Sequence, residues 1–383
     1  MAVETRCQYT VRRHPSWLLR HVVRTVRQDP LFKHVAFQLC PRGPKKKLLL
    51  ALLVVCALSP VLKYVNVVSN VVSNVISPWR NIAFLEEMPD FREDTSQTKT
   101  TGSKQLCPKK APNLVGVSSI NESLVTLEGL IGKYISSRPG GHFKPPECVS
   151  RTKTAVIVAY RNRQRHLVVL LNHLIPFLVR QQADFAIFVV EPLPNVTFNR
   201  ALLMNIGFVE ALKTYNFTCF IFHDVDLLPV TDHNLYRCGA TPRHMAVSNS
   251  KLDNISFHEY AGGVVAVSRD VYQHVNGHSN LYFGWGGEDD DLLYRLQWKH
   301  HPMSRYPPAI GRYIALNHAD DIGNPVSDIR LALLETAEKR MAEDGLTSLK
   351  YKIIHRKYKP FYTWIQVDID MNYYSSMVSK WQQ

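Results

Sequence analysis

Three short apolar runs, separated by two longer stretches with helical spacing, constrain the fold of this chain more than any other feature. The runs TAVIVAY (154–160), FAIFVVE (185–191) and CFIFHDVD (219–226) are rich in β-branched and aromatic residues, which is typical of buried strands. Residues 163–182 and 199–215 place apolar side chains three and four positions apart, as an amphipathic helix does. This alternation predicts an α/β fold, a parallel sheet with helices on its faces.

The polar residues that follow the three runs are predicted to meet at one edge of the sheet. Ligands of such sheets bind beyond the carboxyl ends of the strands. The segments that reach this edge are 160–163, 198–200 and 224–226. They carry Arg161, Arg163 and Arg200, which suit a nucleotide diphosphate. Ordinary solvated arginines at helix starts are the alternative.

Asp224 and Asp226 stand two residues apart at the end of the third run. Two carboxylates in this position can share a hard divalent cation with a diphosphate, whose own oxygens complete the coordination. Acid pairs at strand ends are also common as solvated turn residues, so the pair alone leaves both interpretations open. His318 follows a short apolar run and is a candidate metal ligand, although a lone histidine is more often structural.

Four consecutive acids, Glu288 to Asp291, follow Trp285 and three glycines in the segment GWGGEDDD. The acids repel one another, which is tolerable on a solvated surface or where cations and hydroxyl ligands need them. Glycines let the backbone bend and approach a substrate closely, and Trp285 offers a face on which a sugar can stack. A solvated helix start would explain the acids, but not the tryptophan and the glycines.

The positive charge of the chain is concentrated at its amino end, beside an apolar segment. Residues 1–47 hold eleven Lys and Arg against two acids, which is +9 of the formal charge of +14. Residues 48–62 carry no charge, and Lys63 after them can snorkel to a membrane surface. A basic flank beside an apolar run is a topology signal rather than a nucleic-acid surface.

We therefore expect no nucleic-acid binding and a type II membrane protein: a cytosolic tail at 1–47, a transmembrane signal-anchor at 48–68, a lumenal stem at 69–106 and a folded lumenal domain at 107–383. A buried core helix is the alternative for the apolar segment. The stem is assigned because its second half is polar, without apolar periodicity.

The cysteines and sequons beyond the predicted anchor fit an oxidising, lumenal compartment. Four cysteines there permit two disulfides with three possible connectivities; they are Cys107, Cys148, Cys219 and Cys238. Asn121, Asn195 and Asn254 are glycosylation candidates. Asn216 is also in a sequon, but it lies in a strand-like run and is expected to be buried and unmodified.

The chain resembles the β-1,4-galactosyltransferase family in several motifs that occur in order within residues 107–372. They are YRNRQRHL, FNRALLMNIGF, CFIFHDVDLLP, DHNLYRC, GG at 262–263, GWGGEDDDL and EDGLTSLKY. The resemblance implies a GT-A-type nucleotide-sugar-binding fold with a mixed, mostly parallel sheet, a UDP-sugar donor, a divalent metal (usually Mn²⁺) and inversion at the sugar carbon. It also implies a terminal N-acetylglucosamine on a glycoprotein or glycolipid as acceptor, and a Golgi membrane location.

Residue roles follow by position from this resemblance. Asp226 and His318 match the metal ligands, supported by Asp224, and Asp289 matches the catalytic base beside Glu288 and Trp285. The UDP-sugar site maps to Tyr160, Arg161, Arg163, Phe198, Arg200, Val225, Asp226, Tyr260 and Trp285. The acceptor site maps to Gly263, Glu288, Asp289, Asp290, Arg330, Leu331 and Leu334. The disulfides map to Cys107–Cys148 and Cys219–Cys238. Residues from about 313 to 336 are implied to form a lid over the donor.

Three residues depart from the family pattern. Ala315 stands where the family has a methionine metal ligand, and Leu331 where it has an aromatic acceptor-site residue. Ala261 replaces a phenylalanine beside the donor sugar, directly after Tyr260. Tyr260 favours galactose, whereas the space beside Ala261 favours N-acetylgalactosamine, and the whole sequence is more similar to the invertebrate branch that transfers the latter. We therefore expect UDP-GalNAc as donor, with UDP-Gal as the alternative.

Two functions of other classes remain as alternatives. A non-catalytic sugar-binding protein could keep the same fold, although the presence of both Asp226 and Asp289 argues against it. A metal-dependent phosphodiesterase would need a nucleophilic water and usually more metal ligands than the sequence offers.

Overall fold

The computed structural model describes residues 104–123, 126–134, 140–250, 261–318 and 323–381. The predicted tail, the predicted anchor and nearly all of the predicted stem lie outside these ranges, as do Asn254 and Tyr260. No helix within them combines the length and the apolar character that a membrane span needs.

Between residues 153 and 224 the helices and strands follow one another in the order that the apolar runs predict. In chain order they are α1 (Glu128–Lys133), β1 (Lys153–Ala159), α2 (Gln164–Arg180), β2 (Asp184–Pro192), α3 (Arg200–Leu212), β3 (Cys219–Asp224), β4 (Leu227–Pro229), β5 (Arg243–His244), β6 (Ser248–Asn249), β7 (Val264–Ser268), α4 (Arg269–His274), α5 (Glu288–Trp298), β8 (Ser304–Arg305), β9 (Arg312–Ala315), α6 (Arg330–Glu335), α7 (Ala337–Arg340), a 3₁₀ helix (Leu346–Ser348), β10 (Tyr351–Tyr358), β11 (Thr363–Ile369) and α8 (Met371–Trp381). The third predicted strand is two residues too long, because the chain turns after Asp224.

Most of the strands form one mixed sheet in the order β10-β11-β2-β1-β3-β7-β5-β8. Its centre is parallel, with β11 on β2, β2 on β1 and β1 on β3. The pairs β10–β11, β3–β7 and β5–β7 are antiparallel, and β5–β8 is parallel. A smaller sheet holds β4, β9 and β6. The expectation of a mixed, mostly parallel sheet is confirmed for the described residues.

The central strand β1 is buried on both faces, because its side chains alternate between them. Ile157 packs in the principal core with apolar residues of α3, and Val156 on the opposite face is equally inaccessible. Helix α3 lies so close to the sheet that a Cβ at Gly207 would come within 2.3 Å of the Ile157 side chain. The close-packed sheet gives the residues at its rim a rigid base.

Two disulfides pair as the resemblance implies. Cys107–Cys148 joins the start of the described domain to the segment before β1, and Cys219–Cys238 joins the first residue of β3 to the segment before β5. Both bonds therefore fix segments near the amino ends of the parallel strands.

The sequons in the described part of the chain are all at the surface. Asn121 and Asn195 are exposed. The expectation that Asn216 is buried is wrong: this residue precedes β3 by three positions and is exposed, and its Oδ1 accepts a hydrogen bond of 2.6 Å from Arg269 Nη1. The apolar run misled the prediction because its polar neighbours already belong to the turn before the strand.

Candidate active site

A cavity of about 710 Å³ lies at the carboxyl ends of the parallel strands. It is lined by Ala159, Arg161, Arg163, Phe198, Arg200, Asp224, Val225, Asp226, the segment 284–290, His318, Asn324, Pro325 and Val326. The predicted rim segments and the acidic motif thus meet in one pocket, although about 60 residues of sequence separate Asp226 from Glu288.

The start of α3 fixes two of the lining residues. Asn199 is its N-cap: the side-chain oxygen accepts a hydrogen bond from Leu202 N at 2.8 Å, and the side-chain amide donates to Asn280 O. Such a cap determines how the chain enters the helix. It therefore sets the positions of Phe198 and Arg200 on either side of it.

Arg161 lies on one wall of the pocket and is nearly inaccessible to solvent. Its guanidinium stacks over the Phe198 ring at 4.8 Å, and its Nη1 donates to Val196 O at 2.9 Å. A Cβ at Gly323 would come within 2.7 Å of this guanidinium. The chain therefore packs closely over Arg161 at Gly323, and a larger residue there would displace the guanidinium.

The Trp285 segment is joined to the segment that follows Gly323. Trp285 N donates to Pro325 O at 2.8 Å, and Ser327 N donates to Trp285 O at 3.0 Å. The indole itself is 61% exposed at the mouth of the cavity, so its face is accessible to a sugar. The implied lid is only partly a separate element, because residues 313–315 belong to β9 and 330–335 to α6, while 319–322 lie outside the description.

Asp226 and His318 form the candidate metal centre. Asp226 Oδ2 lies 3.1 Å from His318 Nε2, and Leu316 N donates to the Asp226 carbonyl at 2.8 Å, which holds the two segments together. Among the described residues, no group of three or more His, Cys, Asp or Glu side chains is arranged to hold a metal ion. One carboxylate and one imidazole fit a divalent cation that takes its remaining ligands from a diphosphate and water.

Ala315 is close to this centre. It is buried at the end of β9, opposite Leu227 of β4 and one residue before Leu316. A methionine here would start its side chain beside the backbone that carries Asp226. The position of Ala315 is therefore consistent with the expectation that a methionine here would reach the metal centre and that alanine does not.

Arg200 connects the two acidic segments of the pocket. Its Nε lies 2.5 Å from Asp224 Oδ1 and its Nη1 lies 2.8 Å from Asp289 Oδ1, with Glu288 at 3.9 Å. Burial opposes its charge, but the three carboxylates outweigh that effect and raise the pKa of Arg200 above its usual value. Arg200 is thus a permanent cation inside an acidic site, and not only a diphosphate ligand as expected.

The carboxylates around Arg200 hold protons more tightly than free carboxyls. Burial and the charges of Asp289 and Asp290 raise the pKa of Glu288 to about 7. Burial and the charges of Asp224 and Asp290 raise the pKa of Asp289 to about 6, although Arg200 opposes the rise. Carboxylates that titrate near neutral pH are suited to proton transfer at that pH.

Helix α5 begins at Glu288, immediately after Gly287, whose φ of 94° is in the left-handed region. The first turn brings Glu288, Asp289 and Asp290 to the cavity, near the positive end of the helix dipole. The expected alternative of a solvated helix start is wrong for two of the four acids, because Glu288 is only 8% exposed and Asp291 is fully buried. Asp291 instead pairs with two buried arginines, Arg295 and Arg340.

Several residues mapped from the family do not line the cavity. Tyr160 is buried beside the rim, with its hydroxyl 3.5 Å from Gln164, and Tyr260 lies outside the described residues. Gly263 contributes through its carbonyl, which accepts hydrogen bonds from Asp224 N and Arg200 Nη2. The acceptor-site candidates Arg330, Leu331 and Leu334 are in α6: the Arg330 stem packs against Gly286, and Leu331 is 62% exposed.

Sequence reasoning missed two features of the site. Asn324, Pro325 and Val326 line the cavity; they lie within the lid that the resemblance implies, but none of them was predicted as a site residue, because their segment has neither a periodicity nor a charge pattern. The buried partners of Asp291 were also missed, because a run of acids gives no sign of which member turns inward. The four-residue spacing of Asp291 and Arg295 was the one available signal.

Two family models match the chain over most of the described region. Residues 107–239 match the N-terminal region of glycosyl transferase group 7, and residues 242–319 match the N-terminal domain of galactosyltransferase. The matched segments carry nearly all of the cavity-lining residues.

Curated relatives and solved structures resemble this chain over large parts of their length. Beta-1,4-galactosyltransferase 4 of Cricetulus griseus is 43% identical over 291 residues, which cover 75% of this chain and 84% of that protein. Human beta-1,4-galactosyltransferase 1 is 41% identical over 272 residues, 70% of this chain and 68% of that protein. The crystal structure of the catalytic domain of Drosophila beta-1,4-galactosyltransferase 7 with xylobiose matches with a TM-score of 0.50 and 27% identity, covering 61% of this chain and 99% of that one. A mutant of that enzyme with manganese, UDP-Gal and xylobiose matches equally well, at 26% identity.

Proposed function

Because the chain belongs to the β-1,4-galactosyltransferase family, we propose that it transfers galactose from UDP-galactose, in β-1,4 linkage and with inversion, to a terminal N-acetylglucosamine of a glycan. As a metal-dependent UDP-sugar β-1,4-glycosyltransferase, it must hold a diphosphate, a cation and an acceptor hydroxyl together. The observation that carries the proposal is the single cavity in which three arginines, the Asp226–His318 pair and Asp289 meet.

The proposed donor differs from the N-acetylgalactosamine expected from the sequence. The curated relatives are named as galactosyltransferases, and the manganese-bound neighbour holds UDP-Gal. These comparisons favour galactose over N-acetylgalactosamine. The sequence argument for the latter rested on a general similarity to the invertebrate branch and on Ala261, whose side chain is fully buried.

The diphosphate end of the donor is assigned to the cationic part of the cavity. Arg161, Arg163 and Arg200 bring positive charge to it, and guanidinium groups suit phosphate oxygens. Asp226 and His318 would hold the metal, which neutralises charge on the leaving diphosphate when bound. Removing one of these two ligands should therefore weaken cation binding as well as turnover.

Asp289 is assigned as the general base. It accepts the proton of the acceptor 4-hydroxyl as that oxygen attacks the anomeric carbon from the face opposite the diphosphate. Arg200, 2.8 Å away, stabilises the ionised form that this step needs. Glu288 and Asp290 are placed to accept hydrogen bonds from sugar hydroxyls, and the exposed Trp285 ring to cover one sugar face.

The cellular setting is part of the proposal and rests on composition alone. The basic residues 1–47 and the uncharged residues 48–62 favour a single-pass type II Golgi protein with a lumenal catalytic domain. Protease treatment of sealed Golgi vesicles tests this orientation: the catalytic domain should be protected until detergent is added. Digestion of the domain in sealed vesicles would contradict the lumenal placement.

The decisive experiment measures UDP release and product by the detergent-solubilised full chain, with UDP-Gal or UDP-GalNAc, Mn²⁺ and an acceptor ending in N-acetylglucosamine. We expect kcat/KM to be higher for UDP-Gal. The Asp289→Asn variant should lose about 10²–10⁴ in turnover and still bind UDP. Asp270→Asn, an equal change at an exposed acid of α4, is the control.

Three results would contradict the proposal. A higher kcat/KM with UDP-GalNAc would show that the donor sugar is N-acetylgalactosamine, as the sequence predicts. Glycan binding without UDP release from either donor would make the chain a sugar-binding protein. Wild-type turnover in Asp289→Asn would remove Asp289 from the chemistry.

A further inference from the structure

Four buried polar side chains form a hydrogen-bonded chain through the core, between the end of β3 and β9. They are His223, the penultimate residue of β3, Tyr236, Tyr313 of β9 and Asn234, and each is at most 1% exposed. These four side chains do not line the cavity, and the proposed transfer reaction does not use them. Buried polar groups are costly unless they are paired, and a paired network fixes the orientation of its members.

The contacts in this network are continuous. His223 Nδ1 lies 2.7 Å from the carbonyl oxygen of Asp224, and His223 Nε2 lies 2.8 Å from the Tyr236 hydroxyl. The Tyr236 hydroxyl lies 3.0 Å from that of Tyr313, and Asn234 Nδ2 lies 3.3 Å from the Tyr313 hydroxyl. The network therefore connects the last peptide of β3 to β9 without a gap.

The chemistry of the groups determines the direction of each hydrogen bond. A carbonyl oxygen only accepts, so His223 Nδ1 carries a proton and donates it to the Asp224 carbonyl. Burial favours the neutral ring, whose Nε2 then accepts from the Tyr236 hydroxyl. The Tyr236 oxygen accepts in turn from the Tyr313 hydroxyl, and the Tyr313 oxygen accepts from the Asn234 amide. Every donor thus points along the network towards Asp224, which fixes the tautomer of His223.

At one end, the network holds the peptide at which β3 ends. The Asp224 carbonyl accepts from the side chain of the preceding residue, and the Asp224 N–H donates to Gly263 O at 3.0 Å. Both backbone groups of Asp224 are therefore bonded where the chain leaves the strand and turns. This turn brings Asp226 to the candidate metal centre. The orientation of the His223 ring thus bears on the position of Asp226.

At the other end, the network reaches the segment that carries the second candidate metal ligand. Tyr313 is in β9, five residues before His318. Between them, Leu316 N donates to the Asp226 carbonyl at 2.8 Å. The network and this backbone contact are two connections between the segments that carry Asp226 and His318, whose side chains lie 3.1 Å apart.

We propose that His223 is a positioning residue of the metal centre. Its Nδ1–H holds the Asp224 peptide, and the Tyr236 and Tyr313 hydroxyls hold the ring in the orientation that this bond needs. Tyr236 is itself fixed, because its N–H donates to Gln181 Oε1 at 2.9 Å. The inference rests on the metal-dependent function proposed above. It adds that the affinity for the cation depends on residues that lie outside the cavity and act through the backbone.

The test compares two replacements that each keep one of the two hydrogen bonds of the ring. In His223→Asn the amide NH₂ lies near the position of Nδ1 and can still donate to the Asp224 carbonyl. In His223→Gln the longer side chain reaches the position of Nε2 and meets only Tyr236. Both variants should unfold at a lower denaturant concentration than the wild type. Only His223→Gln should bind Mn²⁺ more weakly, by about tenfold, as is usual when a group that orients a metal ligand is lost.

Electron paramagnetic resonance titration of the detergent-solubilised full chain with Mn²⁺, in the presence of UDP, measures this affinity without turnover. Tyr236→Phe removes one oxygen from the network and should also weaken Mn²⁺ binding, which keeps the test open if His223→Gln does not fold. His142→Gln is the control, because it changes another buried histidine, beside Asp184 at the amino end of β2. It should lower stability and leave Mn²⁺ binding unchanged.

Kinetics supply a second readout, because His223 does not contact the substrate. In His223→Gln the Mn²⁺ concentration for half-maximal rate should rise, while kcat at saturating Mn²⁺ should stay close to that of the wild type. A fall in kcat that saturating Mn²⁺ does not restore would overturn the inference.

Three binding results would also overturn it: equal Mn²⁺ affinity in His223→Asn and His223→Gln, wild-type affinity in Tyr236→Phe, or an equal loss in His142→Gln. The last result would trace the effect to stability alone. The proposed function fails by a different result, the absence of UDP release and product in the wild type. A wild-type chain that binds no Mn²⁺ would contradict both.

Discussion

Arg200 links the two acidic segments of the cavity at the scale of single residues. It contacts Asp224 at the end of β3 and Asp289 in the first turn of α5, and it lies within 4 Å of Glu288. Three carboxylates around one buried cation would repel one another without it. The side chain therefore acts on the ionisation of the proposed base, in addition to any contact with the donor.

Removal of this charge should change the pH dependence of the enzyme. The pKa of Asp289 is about 6, so kcat/KM should fall as the pH drops below 6, because the protonated base cannot accept the acceptor proton. In Arg200→Gln the pKa of Asp289 rises further. The acid limb of the profile, the pH range in which kcat/KM falls on acidification, should then move up by about one to three pH units, the usual effect of one nearby opposite charge. The pH–rate profile measures this.

Arg200→Lys is the matched variant, because it keeps a positive charge between the same carboxylates. Its acid limb should stay close to that of the wild type even if its turnover is lower. An unchanged acid limb in Arg200→Gln would show that Arg200 does not control the ionisation of the base.

The resemblance implies that Ala315 replaces a methionine metal ligand. Ala315→Met should tighten Mn²⁺ binding, because a thioether beside the Asp226 backbone adds a ligand to the Asp226–His318 pair. Calorimetric titration with Mn²⁺ and UDP measures the change, with Ala315→Leu as a control of similar bulk and no sulfur. The same half-saturation in both variants would mean that the sulfur does not reach the metal.

At the scale of elements, the first turn of α5 places the four acids, residues 288–291, in two different environments. Three face the cavity, while Asp291 turns inward to Arg295 and Arg340. Arg340 also donates to Leu333 O of α6 at 3.0 Å and, with Arg295, pairs with Asp344. Two buried arginines and two buried aspartates thus connect α5, which carries the proposed base, to α6, which carries the acceptor-site candidates.

The loss of Arg340 should destabilise the domain strongly. Arg340→Leu leaves Asp291 and Asp344 buried with less compensation, which typically costs about 3–5 kcal/mol in the free energy of unfolding. Lys339→Leu, at the exposed neighbouring position of α7, should change it by less than about 0.5 kcal/mol. Denaturant titration of both variants checks the difference, and equal losses would show that the buried pairs contribute little.

At the scale of the whole molecule, the two ends of the parallel strands are held in different ways. The carboxyl ends carry the acids and the proposed metal centre, and the amino ends carry both disulfides. The disulfides fix the end at which the chain enters the domain. The reacting end is held by hydrogen bonds between loops instead, among them those that join Trp285 to Pro325 and Ser327.

Each disulfide should stabilise the domain mainly by restricting the unfolded chain. The bonds span 41 and 19 residues, for which loop-closure entropy gives about 3–4 kcal/mol each. Replacing Cys107 and Cys148 with alanine should therefore lower the free energy of unfolding slightly more than replacing Cys219 and Cys238. Denaturant titration of the two double variants gives the order, and a reversed order would show that native-state contacts outweigh chain entropy.

The sequence alone determined the order of the five elements from β1 to β3 and the identity of most residues in the cavity. Periodicity located β1, α2, β2, α3 and β3 to within a few residues, because strand and helix faces must alternate locally with a fixed period. The same parallel order brought residues 160–163, 198–200 and 224–226 to one rim. The metal pair and the acidic segment needed the resemblance, since His318 and Asp289 lie far along the chain from that rim.

Only the tertiary structure decided how the charges are used. It turned Asp291 inward to Arg295 and Arg340 while leaving its three neighbours at the cavity, and it brought Arg200 between Asp224 and Asp289. A local pattern cannot encode these pairings, because the energy of a charge depends on its burial and on neighbours that are distant in sequence.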